Sequence, residues 1–356
     1  MFENLTIQSH KGPYTVVFDD ALLSNTASLS AGECHFLVDA NVARLYSNQL
    51  AAIVSHPNLI LIEASEDSKS LQKIIPVIER LVQNNVRRDH TLVAIGGGVV
   101  QDITCFIAST LLRGVRWRFA PTTLLAQADS CIGSKSSINL GSTKNILGTF
   151  NPPYEIFVDK NFLDTLEDKE IRSGVGEILK VHAIEGLASF DLVARDFENL
   201  FLKKDVLMKY VRSALLIKQR FIEPDEFDRG IRNVFNYGHS FGHAIESATN
   251  YAVPHGIAVS MGMDMANHIA VQRGLLPARH YVRMHGVLSQ NYSHYEKIHI
   301  PIDAMLSALM RDKKNTSALL GLILPSGEDA IVQPVKVAPD EVFRGQCAKF
   351  LAEAVA

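Results

Sequence analysis

Short apolar runs alternate with amphipathic stretches through the first third of the chain. YTVVF (14–18), CHFLVD (34–39), LILIEA (59–64) and TLVAIGG (91–97) are rich in β-branched and aromatic residues and read as strands. Between them, the stretches near 41–54 and 69–86 carry apolar residues at helical spacing. Such alternation predicts a parallel sheet with helices on its faces, and ligands in these sheets bind beyond the carboxyl ends of the strands. From about residue 168 onward the pattern becomes mainly helical, with few β-branched runs. The expected boundary falls within 160–175, giving an α/β domain over 1–168 and a mainly α-helical domain over 169–356. No flexible linker separates them, so the expectation is close packing with a cleft between the two. Near the C-terminus, MRDKKNTSALLGLILPSGEDA reads as a lysine-bearing loop followed by a strand. There is no internal repeat and no low-complexity tract.

Composition narrows the class without changing this picture. The 356 residues are 47% hydrophobic and 21% charged, as in ordinary globular proteins. A net charge of -3 leaves no basic footprint for nucleic acid. No apolar run has membrane-spanning length, and MFENLTIQSHKG lacks a signal-peptide core. Cys34, Cys105, Cys131 and Cys347 are scattered with no CxxC, which argues against a disulfide framework or a cysteine zinc site and fits a reduced cytoplasm.

Several polar positions sit where chemistry is expected. Asp39 ends the second strand and is placed either to hold a ribose hydroxyl or to cap a helix. GGGVVQD (96–102) follows a strand and opens an apolar helical run ending near Leu112. Its glycines let backbone N–H groups approach a phosphate, and the helix aims its positive end there. Thr122 and Thr123 follow the next strand, where vicinal hydroxyls contact a ribose or amide, or cap a helix. The segment 127–153 is rich in Gly, Ser and Asn and carries Asp129, Lys135, Lys144 and Asn145. It reads as a polar loop whose lysines suit a phosphorylated substrate; the alternative is a plain solvent loop.

The densest constellation is RNVFNYGHSFGHAIESATNYAVPHG (232–256), with Asn236, His239, His243 and His255. His239 and His243 are four apart and share a helix face, while His255, between Pro and Gly, falls at a loop or helix start. Converging neutral imidazoles are good ligands for zinc or a similar ion, and buried hydrogen-bonded histidines are the competing explanation. HSFGH lacks the glutamate of HExxH, which removes a zinc-protease reading. In GVGEILKV, Glu177 and Lys180 lie on one helix face amid apolar residues; they read as a surface ion pair, or Glu177 as a metal ligand. Lys218, in LLIKQRF, has similarly apolar flanks.

Taken together, GGGVVQD, LLRG, PTTLLAQADS, Lys135, Lys144-Asn145, GEILK and RNVFNYGHSFGHAIE followed by PHG resemble the sugar-phosphate cyclase family, which includes the dehydroquinate synthases. The ordered blocks run from about Asp39 to Lys314. The resemblance implies a Rossmann-like domain for NAD and a C-terminal helical domain for Zn²⁺ or Co²⁺. Its metal ligands fall on Glu177, His239 and His255, which moves His243 from the metal to the substrate. For NAD it implies Asp39, Asn41, Glu66, Lys69, Gly97, Gly98, Asp102, Thr122, Thr123, Leu125, Phe162 and Thr165, with Asp129 and Lys144 near the nicotinamide. For substrate it implies Lys135, Asn145, Lys180, Lys218, Arg232, Asn236, His243 and a lysine of Lys313-Lys314, with Lys313 preferred. Asp129 belongs to both groups. Arg113 matches an arginine that reaches the phosphate of a neighbouring subunit, which implies a homodimer. The implied substrate is a small phosphorylated sugar acid, 3-deoxy-D-arabino-heptulosonate 7-phosphate. The implied reaction is oxidation, phosphate elimination, reduction and aldol closure, with NAD regenerated at each turnover. Glu177, His239, Lys135, Lys180, Lys218, Arg232, Asn236 and His243 are the implied catalytic set.

Within the family, cyclases differ in whether their substrate has a carboxylate. Lys218 and Arg232, fourteen apart, match the pair that holds it in the dehydroquinate branch. Burying two cations without an anion is costly, so they support a carboxylated substrate. DSCIGSKSSIN, Gln101 and Ile257 depart from the usual dehydroquinate pattern, the first around Lys135. The alternatives are a cyclase for an amino analogue, sedoheptulose 7-phosphate or glucose 6-phosphate, and a metal-dependent polyol dehydrogenase. Against the last stand Lys135, Asn145, Arg113, Lys218 and Arg232, cations and amides that a simple alcohol does not need. A non-catalytic relative would have lost a metal ligand, and all three candidates are present.

Overall fold

A computed structural model describes residues 2–141, 143–311 and 319–354. Lys313 and Lys314 lie outside the described residues. Two compact units divide the chain: Met1–Leu166 with Gln219–Phe227, and Glu167–Lys218 with Asp228–Ala356. The segment Gln219–Phe227 packs with the first unit, an arrangement that a single cut in the sequence does not describe.

The first unit is built on a seven-stranded sheet. Its strands are β1 (Leu5–Ile7), β2 (Tyr14–Phe18), β3 (Cys34–Asp39), β4 (Leu59–Ile62), β5 (Thr91–Gly96), β6 (Arg116–Pro121) and, after a separate hairpin of β7 (Lys135–Leu140) and β8 (Thr143–Phe150), β9 (Glu155–Val158). The order across the sheet is β1-β2-β9-β6-β5-β3-β4, parallel throughout except where β1 pairs antiparallel with β2. Every residue of β5 is buried, as expected of a central strand covered on both faces. Helices α1 (Ala40–Leu45), α2 (Ala51–Val54), α3 (Leu71–Gln83) and α4 (Gly98–Thr110) connect or cover the strands. The parallel sheet with helices matches the pattern read from the chain.

Two expectations change. The stretch 41–54 is not one helix: it breaks into α1 and α2, because Ser47 and Asn48 favour a turn and Tyr46 is held away by hydrogen bonds from its hydroxyl to the carbonyls of Asn161 and Phe162. The segment 127–153 is not an irregular loop. A π-helical turn over Ala126–Ser130 leads into the β7–β8 hairpin. No buried-face alternation marks β8, whose residues are all exposed or half-buried, so its backbone pairing left little trace in the apolar pattern.

The second unit is mainly helical: α5 (Asp168–Glu185), α6 (Leu187–Arg195), α7 (Phe197–Leu202), α8 (Lys204–Ile222), α9 (His239–Ala248), α10 (His255–Gln272), α11 (Ala278–Tyr292), α12 (Ile302–Met310) and α13 (Glu341–Ala354). Helix α8 ends in the Gln219–Phe227 segment of the first unit. An antiparallel hairpin of β10 (Leu320–Ser326) and β11 (Ile331–Val337) completes it. Helix α10 is its axis. Residues from Gly256 to Ala270 are all buried, including Ile257, Met261 and Met265, and α5, α9, α11 and α13 pack around it.

Glycines set how closely these helices cross. A Cβ on Gly176 of α5 would overlap the carbonyl of Gly256 on α10, and one on Gly256 would overlap the carbonyl of Ser173. The Ser173 hydroxyl also accepts the Gly256 N–H at 2.9 Å. Gly262 of α10 meets the Gly238 carbonyl, just before α9, in the same way. These contacts draw the starts of α9 and α10 and the middle of α5 together. Gly256→Ala is therefore expected to cost about 1–3 kcal/mol or more through forced separation of the helices. Urea denaturation checks this, and an unchanged midpoint would contradict so close a crossing.

Candidate active site

The helix crossings bring one acid and three histidines into a single cluster of the second unit. Glu177, from the middle of α5, is 1% exposed. His239 is the first residue of α9 and His255 the first of α10. Glu177 Oε1 lies 3.6 Å from His239 Nε2 and 3.4 Å from His255 Nε2. The ligating nitrogens of His239, His243 and His255 all lie within 4.8 Å of one another. His243, one turn along α9 from His239, is exposed, with its ring centroid 5.3 Å from that of His239 and 5.5 Å from that of His255.

The tautomers of the two inner histidines are set by their other ring nitrogens. His239 Nδ1 donates to the carbonyl of Tyr237 at 3.3 Å. His255 Nδ1 donates to Glu246 Oε2 at 3.2 Å. Both Nε2 atoms thus turn toward the same Glu177 oxygen. Burial works against the charge on Glu177, but Lys180 and the two imidazoles outweigh it and hold the carboxyl well below its usual range. Burial and the nearby Lys180 keep His239 well below the ordinary imidazole value. Burial opposes the charge on His255 as well, yet hydrogen bonds to Glu177 and Glu246 push it up to about 10. One carboxylate with two imidazoles is a donor set that suits a divalent zinc-like ion.

Around this cluster stand the other predicted residues of the unit. Lys180 Nζ is 2.5 Å from Glu177 Oε2, both side chains nearly inaccessible, so the surface-pair alternative fails. Lys180 also faces the ring of Phe235. The 3₁₀ turn Ile231–Asn236, which carries Arg232 and Asn236, packs against α5. Arg232 and Lys218 are buried. The Asn236 amide donates to the backbone and side chain of Asn233, both at 2.9 Å.

In the first unit the predicted cofactor residues gather beyond the carboxyl ends of β3, β5 and β6. Asp39 caps α1, accepting the N–H groups of Asn41 and Val42. Of the glycines opening α4, Gly96 and Gly97 are held tight by Val100 and Thr123, whereas a Cβ on Gly98 would meet nothing within 4 Å. That open glycine at a helix N-terminus is a place where phosphate oxygens could approach the backbone. Thr122 is buried, the Thr123 hydroxyl accepts the Ala126 N–H, and Leu125 is half-buried. Lys69 links three elements: it pairs with Asp102 at 2.8 Å, donates to Asn145 Oδ1 at 3.0 Å and lies 3.8 Å from Glu66. Glu66 in turn accepts from Asn139, whose side-chain oxygen accepts the Asn145 N–H.

Other predicted positions are spread more widely. Lys135 opens β7 and Lys144 lies on β8, both exposed; Asp129 lies in the π-helical turn. Thr165 donates to the Tyr46 hydroxyl. The ring of Phe162 is 1% exposed and packs edge-on against Tyr46 in the core. Arg113 is exposed, in the left-handed run Leu112, Arg113, Gly114 (φ 52, 66 and 119°) beyond the far end of α4. That helix of 13 residues is about 20 Å long, which separates Arg113 from Gly98. Three residues escaped the sequence reading. Glu246 was legible, seven positions from His239 on the same helix face. Asn139 and Tyr46 gave no local signal, because their partners come from distant segments.

The family model described as 3-dehydroquinate synthase N-terminal matches residues 59–173, and that described as 3-dehydroquinate synthase C-terminal matches residues 174–315. A 3-dehydroquinate synthase of Alkaliphilus metalliredigens (strain QYMF) is 32% identical over 346 residues, covering 96% of this chain and 97% of the relative. The chain belongs to the 3-dehydroquinate synthase family. It is therefore an enzyme of the carbon–oxygen lyase class. A further relative in this family, from Enterococcus faecalis (strain ATCC 47077 / OG1RF), is 35% identical over 303 residues, 81% of this chain and 82% of the relative. Among solved structures, 2-epi-5-epi-valiolone synthase from Streptomyces hygroscopicus subsp. jinggangensis 5008, with NAD⁺ and Zn²⁺ bound, superposes with a TM-score of 0.84 at 30% identity over 96% of this chain and 97% of the other. The Rossmann-like and helical units are thus the two parts of a 3-dehydroquinate synthase-family fold. Among the described residues no helix is long and apolar enough to cross a membrane, and all four cysteines are free and buried.

Proposed function

We propose that this enzyme converts 3-deoxy-D-arabino-heptulosonate 7-phosphate to 3-dehydroquinate with release of phosphate, using NAD and a divalent metal, Zn²⁺ or Co²⁺. The observation that carries the reading is the convergence of Glu177 with the Nε2 atoms of His239 and His255, in a chain so closely related to dehydroquinate synthases. When bound, NAD accepts and returns a hydride, and the metal lowers the pKa of the substrate hydroxyl as a Lewis acid.

The chain's own residues bind and orient. Glu177, His239 and His255 hold the metal, with His243 kept for the substrate. Lys218 and Arg232, both buried, receive the substrate carboxylate, a role suited to an ammonium and a planar guanidinium. Lys180 and Asn236 orient the reacting hydroxyls. Lys135 and Asn145, with Lys313, hold the phosphorylated end. Arg113, outward on its left-handed turn, completes the phosphate site of a second copy in a homodimer. The cofactor lies along Asp39, Asn41, Glu66, Lys69, Gly97, Gly98, Asp102, Thr122, Thr123, Leu125, Asp129, Lys144, Phe162 and Thr165. Phe162 takes part through its backbone, since its ring is in the core. The place of action is the cytoplasm, with no nucleic acid or membrane as partner.

Lys69 joins the cofactor side to the Asn145 side of this arrangement. Lys69→Ala is expected to weaken NAD binding by about 10- to 100-fold, the loss of a charge-assisted hydrogen bond. Calorimetric titration with NAD measures it, and an unaltered Kd would remove Lys69 from the cofactor site. A second reading, a cyclase of the same fold that takes another sugar phosphate, has in its support the likeness to the 2-epi-5-epi-valiolone synthase. Phosphate release from the competing sugar phosphates separates the two.

A further inference from the structure

We propose that Glu246 is a positioning residue for the metal, acting through His255. The inference rests on the reading of Glu177, His239 and His255 as ligands and adds a residue to it. Glu246 Oε2 accepts from His255 Nδ1 at 3.2 Å. That bond keeps the proton on Nδ1, which leaves the Nε2 lone pair for a cation, and it makes the ring a stronger donor. The His239 ring is held differently, by the neutral carbonyl of Tyr237 at 3.3 Å. The two imidazoles are therefore unequal ligands: one is backed by a full negative charge and the other by a peptide dipole.

The covalent framework explains why this carboxylate can do it. Glu246 is seven residues, two turns, beyond His239 on α9, so both point from one face of that helix. Helix α9 thus supplies one ligand directly and aims the other, which opens α10. The Glu246 side chain is 12% exposed, against 34% for His255, so the hydrogen bond lies on the sheltered side of the ring. His255 also belongs to the residue pair His255-Gly256 that seats α10 against α5, so the backbone is fixed by packing and the ring by Glu246.

The test is metal affinity, measured on the full-length protein by Zn²⁺ competition with a chromophoric chelator, together with the visible spectrum of the Co²⁺-loaded form. Glu246→Ala is expected to weaken Zn²⁺ binding by about 10- to 100-fold, with Glu246→Gln less affected because its amide oxygen still accepts from Nδ1–H. The Co²⁺ bands should shift in both variants. Wild-type affinity and spectrum in both variants would overturn the proposal. So would a fall in thermal stability of the metal-free protein with no change in chelator competition, which is what a merely structural carboxylate would give. Failure of the wild-type chain to bind Zn²⁺ would instead overturn the ligand assignment itself.

Discussion

His255→Ala removes the bound divalent ion and lowers phosphate release by at least about a thousandfold, while the protein stays folded. The scale follows from the loss of a Lewis acid worth several kcal/mol in stabilising developing charge. Folding survives because His255 is the first residue of α10 and partly exposed, whereas the fifteen buried residues behind it keep their contacts. Metal content by elemental analysis, circular dichroism and a phosphate assay on the same preparation check the three parts of the expectation. Full activity in a metal-free variant would remove His255 from the ligand set.

Arg232→Ala weakens transition-state binding of a carboxylated substrate by about 2–5 kcal/mol, the range found when one partner of a buried charge pair is truncated. Arg232 is buried on the 3₁₀ turn that packs against α5, the helix of Glu177 and Lys180. Its loss should leave metal content unchanged, which separates it from His255→Ala. Steady-state kinetics with the heptulosonate phosphate give the figure, and KM and kcat equal to wild type would refute the carboxylate role. For a substrate with no carboxylate, the same substitution should cost little.

Much of this was legible in the chain because it depends on local pattern. β5 and its glycine-rich exit to α4 could be read directly, since a fully buried strand is a continuous apolar run and the turn needs small residues. The helix faces of His239 with His243 and of Glu177 with Lys180 follow from spacing alone. What spacing alone could not supply is how the faces meet. The closeness of α5 to α10 depends on Gly176 finding Gly256, eighty positions away, and small residues advertise no partner. For the same reason the histidine cluster pointed first to His239, His243 and His255 together, with Glu177 open between an ion pair and a metal ligand, and the resemblance was needed to put Glu177 in the ligand set in place of His243. The β7–β8 hairpin was missed because neither face of β8 is buried. Of the network around Asp102, the resemblance supplied Lys69, Glu66 and Asn145 one by one, but Asn139 and the bonds that join them were missed, because Asn139 and Asn145 reach it from that hairpin.

The measurement that bears most directly on the central claim is phosphate release by the metal-loaded protein with NAD. It should compare 3-deoxy-D-arabino-heptulosonate 7-phosphate, its amino analogue, sedoheptulose 7-phosphate and glucose 6-phosphate, with absorbance followed for NADH. Release from the heptulosonate phosphate alone, with no net NADH, is the predicted result. Release from one of the others in its place, or stoichiometric accumulation of NADH, would contradict it.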